Sequence, residues 1–167
     1  SKAAPLLSEA VLHIAHPAIR NRGTIGGSIV HGDPSAELAL AALVLDARII
    51  LKSIRGEEEL SLDGFFEAAM VTNIQPDQLL TEIRIPVWAG KKVGTGFHET
   101  ASRQGDFAIV AAAAQLELGT DDVIVRAAIT VGGVAPSPVR LRSVEKLLTG
   151  RPPEAIDQAL FQLDDEI

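Results

Sequence analysis

The segment IRNRGTIGGSIVHGDP, residues 19–34, combines residue types that can hold an anion. It joins two arginines to the hydroxyl of Thr24 and to the glycine pair Gly26-Gly27, and Asp33-Pro34 follows. Glycines let the main chain approach a bulky ligand, and successive amides can form an anion-binding hollow. Asp33-Pro34 is typical of a helix start, which attracts negative charge. The segment therefore predicts a pyrophosphate cradle. A tight turn between strands is the alternative, because neither common phosphate motif is present.

Helices are expected on both sides of this cradle. Residues 8–15 have a helical pattern with Ser8 as a candidate N-cap, and residues 33–45 predict an apolar helix capped by Asp33. Residues 21–30 predict a turn that leads into a short strand.

The remaining elements are mostly strands. Alternating or β-rich segments predict strands at 47–54, 60–63, 79–85, 93–98, 107–118 and 123–131, with a hairpin turn at 55–59. A small helical element is predicted to begin at 64–67, and two helices are predicted over 144–148 and 154–162. This mixture predicts an α+β fold rather than a parallel doubly wound sheet. The polar, glycine-containing stretch 88–92 predicts a boundary between two domains, at 1–90 and 91–167.

The composition excludes several classes of protein. The chain has 167 residues, of which 47% are hydrophobic, so it can bury a core. A net charge of −7 argues against a nucleic-acid-binding protein. The absence of cysteine excludes an iron–sulfur cluster held by thiolates in this chain. No apolar run is long enough to span a membrane, and no signal peptide is visible, so we expect a cytoplasmic protein.

The segment at 19–34 closely resembles the second flavin-binding segment of the FAD subunits of molybdenum hydroxylases. This family includes the medium subunit of aerobic carbon monoxide dehydrogenase and the flavin domain of xanthine dehydrogenase. GFHETASRQGDFAIV at 96–110 and VGGVAPSPVR at 131–140 resemble the C-terminal domain of the same subunits. The resemblance implies the second half of an FAD-binding domain at 1–90 and an incomplete flavoprotein C-terminal domain at 91–167. Both would consist of an antiparallel sheet with helices.

The resemblance also implies which residues contact FAD. They are Thr24, Ile25, Gly26, Gly27, Ser28, His31, Glu37 and Leu80. The hydroxyl and amides of Thr24, Gly26 and Gly27 would hold the pyrophosphate. Ser28 and His31 would contact the phosphates or the ribitol.

Two members of this set have equally plausible structural roles. Glu37 would accept hydrogen bonds from the ribose hydroxyls, because a carboxylate can accept both protons of a diol. Its alternative role is a favourable charge at a helix start. Leu80 would lie against the cofactor, or is an ordinary strand residue of the core. For Arg103 and Asp106 we favour an ion pair within a turn.

The resemblance implies an electron-transferring flavoprotein subunit of an oxidoreductase. A large subunit would hold molybdopterin and a small subunit 2Fe–2S clusters, so a hetero-oligomer is expected. Electrons would pass from the clusters to FAD and then to an external acceptor. No catalytic dyad, nucleophile elbow or metal-ligand spacing is found, and the cofactor would supply the chemistry.

The family's first glycine motif, which resembles AGGxS, is not found in this sequence. We therefore expect an N-terminally truncated subunit that holds half a flavin site and is inactive by itself. The alternatives are another flavin oxidoreductase of the same superfamily, such as a peptidoglycan-precursor reductase or an alcohol oxidase relative, and a flavin-free assembly or scaffold module. The stretch GDFAIV argues against the first alternative.

Overall fold

The structure is a computed structural model that describes residues 3–103 and 105–157. Its helices are α1 (Pro5–His13), α2 (Pro17–Arg20), α3 (Ile25–His31), α4 (Glu37–Val44) and α5 (Arg142–Leu148), with a 3₁₀ helix at Pro153–Ala155. Its strands are β1 (Arg48–Ser53), β2 (Gly56–Ser61), β3 (Phe66–Ala68), β4 (Val71–Thr72), β5 (Leu79–Arg84), β6 (Lys92–Ala101), β7 (Ala108–Leu118), β8 (Ile124–Gly132) and β9 (Val139–Arg140).

The strands form three antiparallel sheets. One sheet has the order β2-β1-β5, β3 pairs with β4, and the third sheet has the order β6-β7-β8-β9. No strand pairing joins β5 to β6, which flank the predicted boundary. The α+β class and the antiparallel sheets predicted from the sequence are confirmed.

Helix α4 lies between the first and third sheets. Its residues 38–44 are all buried, which explains why the helix is apolar on every side. Ala42 and Leu43 belong to the core that includes Ile49 of β1. Leu40 and Val44 belong to a second core, which α1 and the alanines of β7 complete. The position of α4 therefore depends on both sheets.

Five local predictions are wrong. The hairpin turn predicted at 55–59 is shorter, because residues 56–59 already belong to strand β2, which takes the place of the strand predicted at 60–63. Residues 25–31 form helix α3 rather than a strand, because Thr24 caps the helix and Ile29 is fully buried. The predicted helical element at 64–67 is absent, and strand β3 begins at Phe66. Helix α1 begins at Pro5, so Ser8 is not its cap. Helix α4 begins at Glu37, three residues after the predicted start at Pro34.

Near the C-terminus the structure tests only part of the predicted helix at 154–162. Residues 153–155 form the 3₁₀ helix, and residues 158–162 lie outside the described residues. The other predicted strands and the helix at 144–148 are present with small shifts of their ends.

Candidate functional site

A cavity of about 770 Å³ lies where the N-terminal helices meet a turn of the third sheet. Helix α1, the start of α3 and the start of α4 form most of its walls, and residues 105–107 form the wall on the sheet side. The volume is in the range of pockets that enclose small molecules and cofactors.

The start of α3 supplies the main-chain donors of this cavity. Thr24 is the N-cap, and its Oγ1 accepts a hydrogen bond from the amide of Gly27 at 2.9 Å. The first hydrogen bond of the helix ladder joins the amide of Ser28 to the carbonyl of Thr24. The amides of Ile25 and Gly26 precede it, and the first amides of a helix have no acceptor within the helix. The Thr24 hydroxyl can also donate its hydrogen to a ligand, because in the cap it acts only through its oxygen, as an acceptor.

Two arginines lie beside these donors. Arg20 donates hydrogen bonds to the carbonyls of Ile14 at 2.5 Å and Ala15 at 2.8 Å, which anchors the loop between α1 and α2. Arg22 is exposed and also lines the cavity. The donors and the arginines make this end of the cavity suited to an anion.

Carboxylates lie at the start of α4. Glu37, the first residue of the helix, lines the cavity, and burial is the main cause that raises the pKa of its carboxyl above the usual value. The negative charges of Glu99 and Asp33 raise this pKa further, and a main-chain hydrogen bond and His13 oppose them. Asp33 does not cap α4, because its Oδ1 accepts the amide of Ser35 at 2.8 Å.

The predicted site residues do not all line the cavity. Six of them do: Thr24, Ile25, Gly27, Ser28, His31 and Glu37. Gly26 and Leu80 do not line it: Gly26 belongs to α3, and a Cβ on it would lie 3.4 Å from Cδ2 of Leu80 on β5. The side chain of Leu80 packs with the core below α3.

The sequence interpretation missed the walls that come from distant segments. Leu7 and Val11 of α1 line one side, and the side chain of Phe107, 82% exposed, lies at the rim. Gly105 has a φ of +86°, and a Cβ there would lie 2.6 Å from the His16 ring. This glycine lets the 105–107 turn approach the α1–α2 loop. The exposed aromatic after GD was the available sequence signal.

Arg103 and Asp106 form the turn ion pair that the sequence favoured, with 3.1 Å between Arg103 Nε and Asp106 Oδ2. Asp106 also lines the cavity.

Among the described residues no group of three or more His, Asp or Glu side chains is arranged to hold a metal. Within the same residues, no helix is both long and apolar enough to cross a membrane.

The cavity thus combines amides and arginines at one end, a carboxylate at the start of α4 and apolar walls from α1 and the rim. A long ligand with an anionic group, vicinal hydroxyls and an apolar ring would satisfy all three features.

Comparisons with known families cover almost the whole chain. The model of the FAD binding domain in molybdopterin dehydrogenase matches residues 1–88, and that of the CO dehydrogenase flavoprotein C-terminal domain matches residues 95–167.

Individual relatives agree with these matches. The 6-hydroxypseudooxynicotine dehydrogenase complex subunit alpha of Paenarthrobacter nicotinovorans is 40% identical over 86% of this chain and 48% of its own length. The caffeine dehydrogenase subunit beta of a Pseudomonas species is 41% identical over 89% of this chain and 50% of its own length. The solved carbon monoxide dehydrogenase of Hydrogenophaga pseudoflava has a TM-score of 0.88 and 32% identity, over 95% of this chain and 55% of that chain. The chain spans about half the length of the curated relatives it matches.

Proposed function

Because this chain belongs to the family of FAD-binding subunits of molybdopterin dehydrogenases, we propose that it forms part of an electron-transferring flavoprotein subunit that binds FAD in the cavity beside α3. The family resemblance inferred from the sequence is confirmed by these matches. The observation that carries the proposal is the cavity itself, because residues at the start of α3 and Glu37 both line it.

The residues present fit the cofactor. The start of α3 and the Thr24 hydroxyl would donate to the pyrophosphate, and Arg22 would offset its charge. Ser28 lies about one turn and His31 nearly two turns after the start of α3, and both would contact the phosphates or the ribitol. Glu37 would accept hydrogen bonds from the ribose hydroxyls. When bound, FAD supplies the redox chemistry, and these residues bind and orient it.

Gly26 and Leu80 take an indirect role in this proposal. Neither residue lines the cavity, so Leu80 would support α3 from the side of Gly26 and its side chain would not contact the cofactor. The main chain of Gly26 can still contribute its amide.

The proposal extends to the complete enzyme. Relatives are named as subunits or as medium chains of dehydrogenases, which favours a hetero-oligomer with a large molybdopterin subunit and a small 2Fe–2S subunit. Electrons would pass from the iron–sulfur clusters to FAD and on to an external acceptor. We place the complex in the cytoplasm, and we place a domain boundary near residue 90, where the strand pairing is interrupted.

The energetic expectation is that this chain alone binds FAD weakly. A cofactor site gains affinity by enclosing its ligand between walls, and this chain spans about half of its relatives. Hydrogen bonds to charged groups contribute about 1.5–3 kcal/mol each, so losing several weakens binding by orders of magnitude.

The test is a titration of the purified chain with FAD, followed by flavin fluorescence, with and without the additional segment that full-length relatives carry. We expect weak binding by the chain and tight binding with the segment, together with the yellow absorbance of bound flavin. A complete subunit that binds no flavin would support the scaffold alternative instead. Sub-micromolar binding by the chain alone would show that the additional segment is dispensable.

A further inference from the structure

The glycine pair Gly132-Gly133 lies where the third sheet meets the loop that leads into α4. Gly132 is the last residue of β8 and is buried. A Cβ on Gly132 would lie 2.4 Å from the carbonyl oxygen of Pro34 and 3.0 Å from both methyl carbons of Leu40. A side chain does not fit this close to a main-chain oxygen. The sheet and the loop therefore touch here because residue 132 has no Cβ.

Gly133 extends the same contact. Its φ is +83°, a conformation that favours glycine. A Cβ on Gly133 would lie 2.2 Å from the carbonyl oxygen of Ile109 on β7 and 3.3 Å from Oγ of Ser35. The turn after β8 therefore contacts both β7 and the loop at residues 33–36.

A buried hydroxyl of β8 makes a further contact with α4. Thr130 is fully buried, and its Oγ1 donates to the carbonyl of Leu40 at 3.2 Å. The end of β8 thus touches Pro34 before Glu37 and Leu40 after it. These contacts lie on both sides of Glu37 and fix the position of the first turn of α4 against the third sheet.

The loop between Pro34 and Glu37 is held by its own hydrogen bonds. Oδ1 of Asp33 accepts the amide of Ser35 at 2.8 Å, and the carbonyl of Asp33 accepts the amide of Ala36 at 3.1 Å. Ala36 is the N-cap of α4, and Glu37 follows it as the first helical residue. A displacement of this loop would therefore move the Glu37 side chain, which lines the cavity.

We propose that Gly132 is a positioning residue of the cavity, which acts through Glu37. Its close approach to Pro34 sets the place at which the Glu37 carboxylate meets the vicinal hydroxyls of a ligand. The part that concerns the ligand rests on the proposed function. The placement of the loop at 33–36 by Gly132 does not depend on it.

The proposal gives the segment VGGVAPSPVR at 131–140 a part in the site. This segment lies within the match to the flavoprotein C-terminal domain, whereas Glu37 lies within the match to the FAD binding domain. The second matched region would thus help to shape a site whose carboxylate belongs to the first.

The size of the displacement supports the role of Gly132. Separating a Cβ on residue 132 from the Pro34 oxygen, from 2.4 Å to an ordinary contact of 3.4 Å, moves the two main chains apart by about 1 Å. Hydrogen bonds between oxygen atoms occupy a range of only about 0.5 Å. Gly132→Ala should therefore break the hydrogen bonds from a diol to Glu37 and weaken binding about tenfold or more.

The first test examines the loop in the chain without any ligand. The assigned main-chain amides are compared by ¹H–¹⁵N NMR. Gly132→Ala should shift the amide signals of Ser35, which is bonded to Asp33, and of Glu37. The matched control is Gly96→Ala on β6, where a Cβ meets no atom within 4 Å, and it should leave these two signals in place.

The second test measures binding by the complete subunit. It is titrated with FAD and with an FAD analogue that lacks the 2′-hydroxyl of the adenosine ribose. The native subunit should prefer FAD, and Gly132→Ala should lose this preference together with affinity. In a Glu37→Gln background, Gly132→Ala should cause no further loss. Leu148→Ala removes a buried side chain of the core beside α5 and should lower stability but retain the preference.

Three results overturn the proposal. A folded Gly132→Ala subunit that keeps its affinity and its preference for FAD is the first. Losses that add up in the double variant with Glu37→Gln are the second, because Gly132 would then have a structural role that does not act through Glu37. A native subunit that binds both flavins equally is the third, since Glu37 would not hold the diol.

A second variant decides the question if Gly132→Ala does not fold. Thr130→Val keeps a similar shape but cannot donate to the Leu40 carbonyl, so it should reduce the same preference to a smaller extent. An unchanged preference in folded Thr130→Val would overturn the proposal in that case. If Gly132→Ala shifts the loop amides but the native subunit binds no flavin, the proposed function fails and the placement of the loop by Gly132 stands.

Discussion

Oγ1 of Thr24 accepts a hydrogen bond from the amide of Gly27 at 2.9 Å, and a Cβ on Gly27 would lie 3.0 Å from the same oxygen. One hydroxyl thus caps α3 and occupies the space beside residue 27. A side chain at position 27 requires the Thr24 hydroxyl to shift by a few tenths of an ångström, so the threonine and the glycine depend on each other.

Thr24→Val should weaken both the helix and the site. Valine has a similar shape but cannot accept the Gly27 amide, and loss of such a cap costs about 1 kcal/mol. We expect a lower midpoint of urea unfolding and weaker FAD binding by the complete subunit. Thr24→Ser keeps the hydroxyl and should retain most of both properties. Equal behaviour of the two variants would contradict a role for the hydroxyl.

Gly27→Ala should reduce FAD binding while the chain stays folded. The added methyl group approaches Thr24 Oγ1 to 3.0 Å and projects beside the helix-start amides that line the cavity. Gly27→Val should abolish binding because its side chain is larger. Circular dichroism checks the fold, and flavin absorbance of the complete subunit checks the site.

The control for this substitution is Gly94→Ala on β6, where a Cβ meets no atom within 4 Å. It should leave flavin binding unchanged. Loss of flavin in Gly94→Ala to the same extent would assign the effect of Gly27→Ala to a general response to glycine replacement.

Strand β6 was predictable because exposed and partly buried residues alternate along the whole of Lys92–Ala101. Helix α3 was not predictable in the same way, because Ile25–His31 contains two glycines and three β-branched residues that disfavour a helix. The cap on Thr24 and the complete burial of Ile29 decide its structure, and both need the folded chain.

The same distinction applies to the candidate site. Thr24 and Glu37 could be predicted from a local motif, because the residues that form a helix start are neighbours in the sequence. The contact of Glu99 with His13 could not be predicted, because it forms only after β6 packs on α1. No local pattern around residue 99 encodes that contact.

Glu37→Gln should make the ligand-free chain more stable near neutral pH. Folding raises the pKa of Glu37, mainly through burial, so the folded state holds this proton more tightly than the unfolded chain. The contribution of Glu37 to stability is therefore complete below its unfolded pKa and is lost as the pH rises through the folded pKa. Glutamine stays neutral and avoids this loss.

The measurement compares unfolding midpoints of the two proteins at about pH 3 and about pH 8, which bracket the usual range of a glutamate. Glu37→Gln should gain stability over the native chain only at the higher pH. Glu67→Gln, at an exposed position of β3, serves as the control. A Glu37→Gln chain that is less stable at the higher pH would show that the helix-start interaction of the carboxylate outweighs its desolvation.

Arg140→Ala should destabilise the chain strongly, because this arginine ties the third sheet to α4. Its side chain is 7% exposed, and its Nη1 donates to the carbonyl of Leu43 at 2.5 Å and to Oδ1 of Asp46 at 3.1 Å. Its Nε pairs with Glu145, a carboxylate that is 10% exposed. Removing one partner of a buried pair costs about 3–5 kcal/mol, since the other charge stays buried.

Arg55→Ala is the matched comparison: Arg55 pairs with Asp77 at 3.0 Å, and both side chains are exposed. Exposed pairs contribute about 0–1 kcal/mol, so this variant should stay close to the native chain. Urea unfolding followed by circular dichroism gives both free energies of unfolding. Equal losses in the two variants would mean that the buried contacts to Leu43 and Asp46 do not hold α4 against the third sheet.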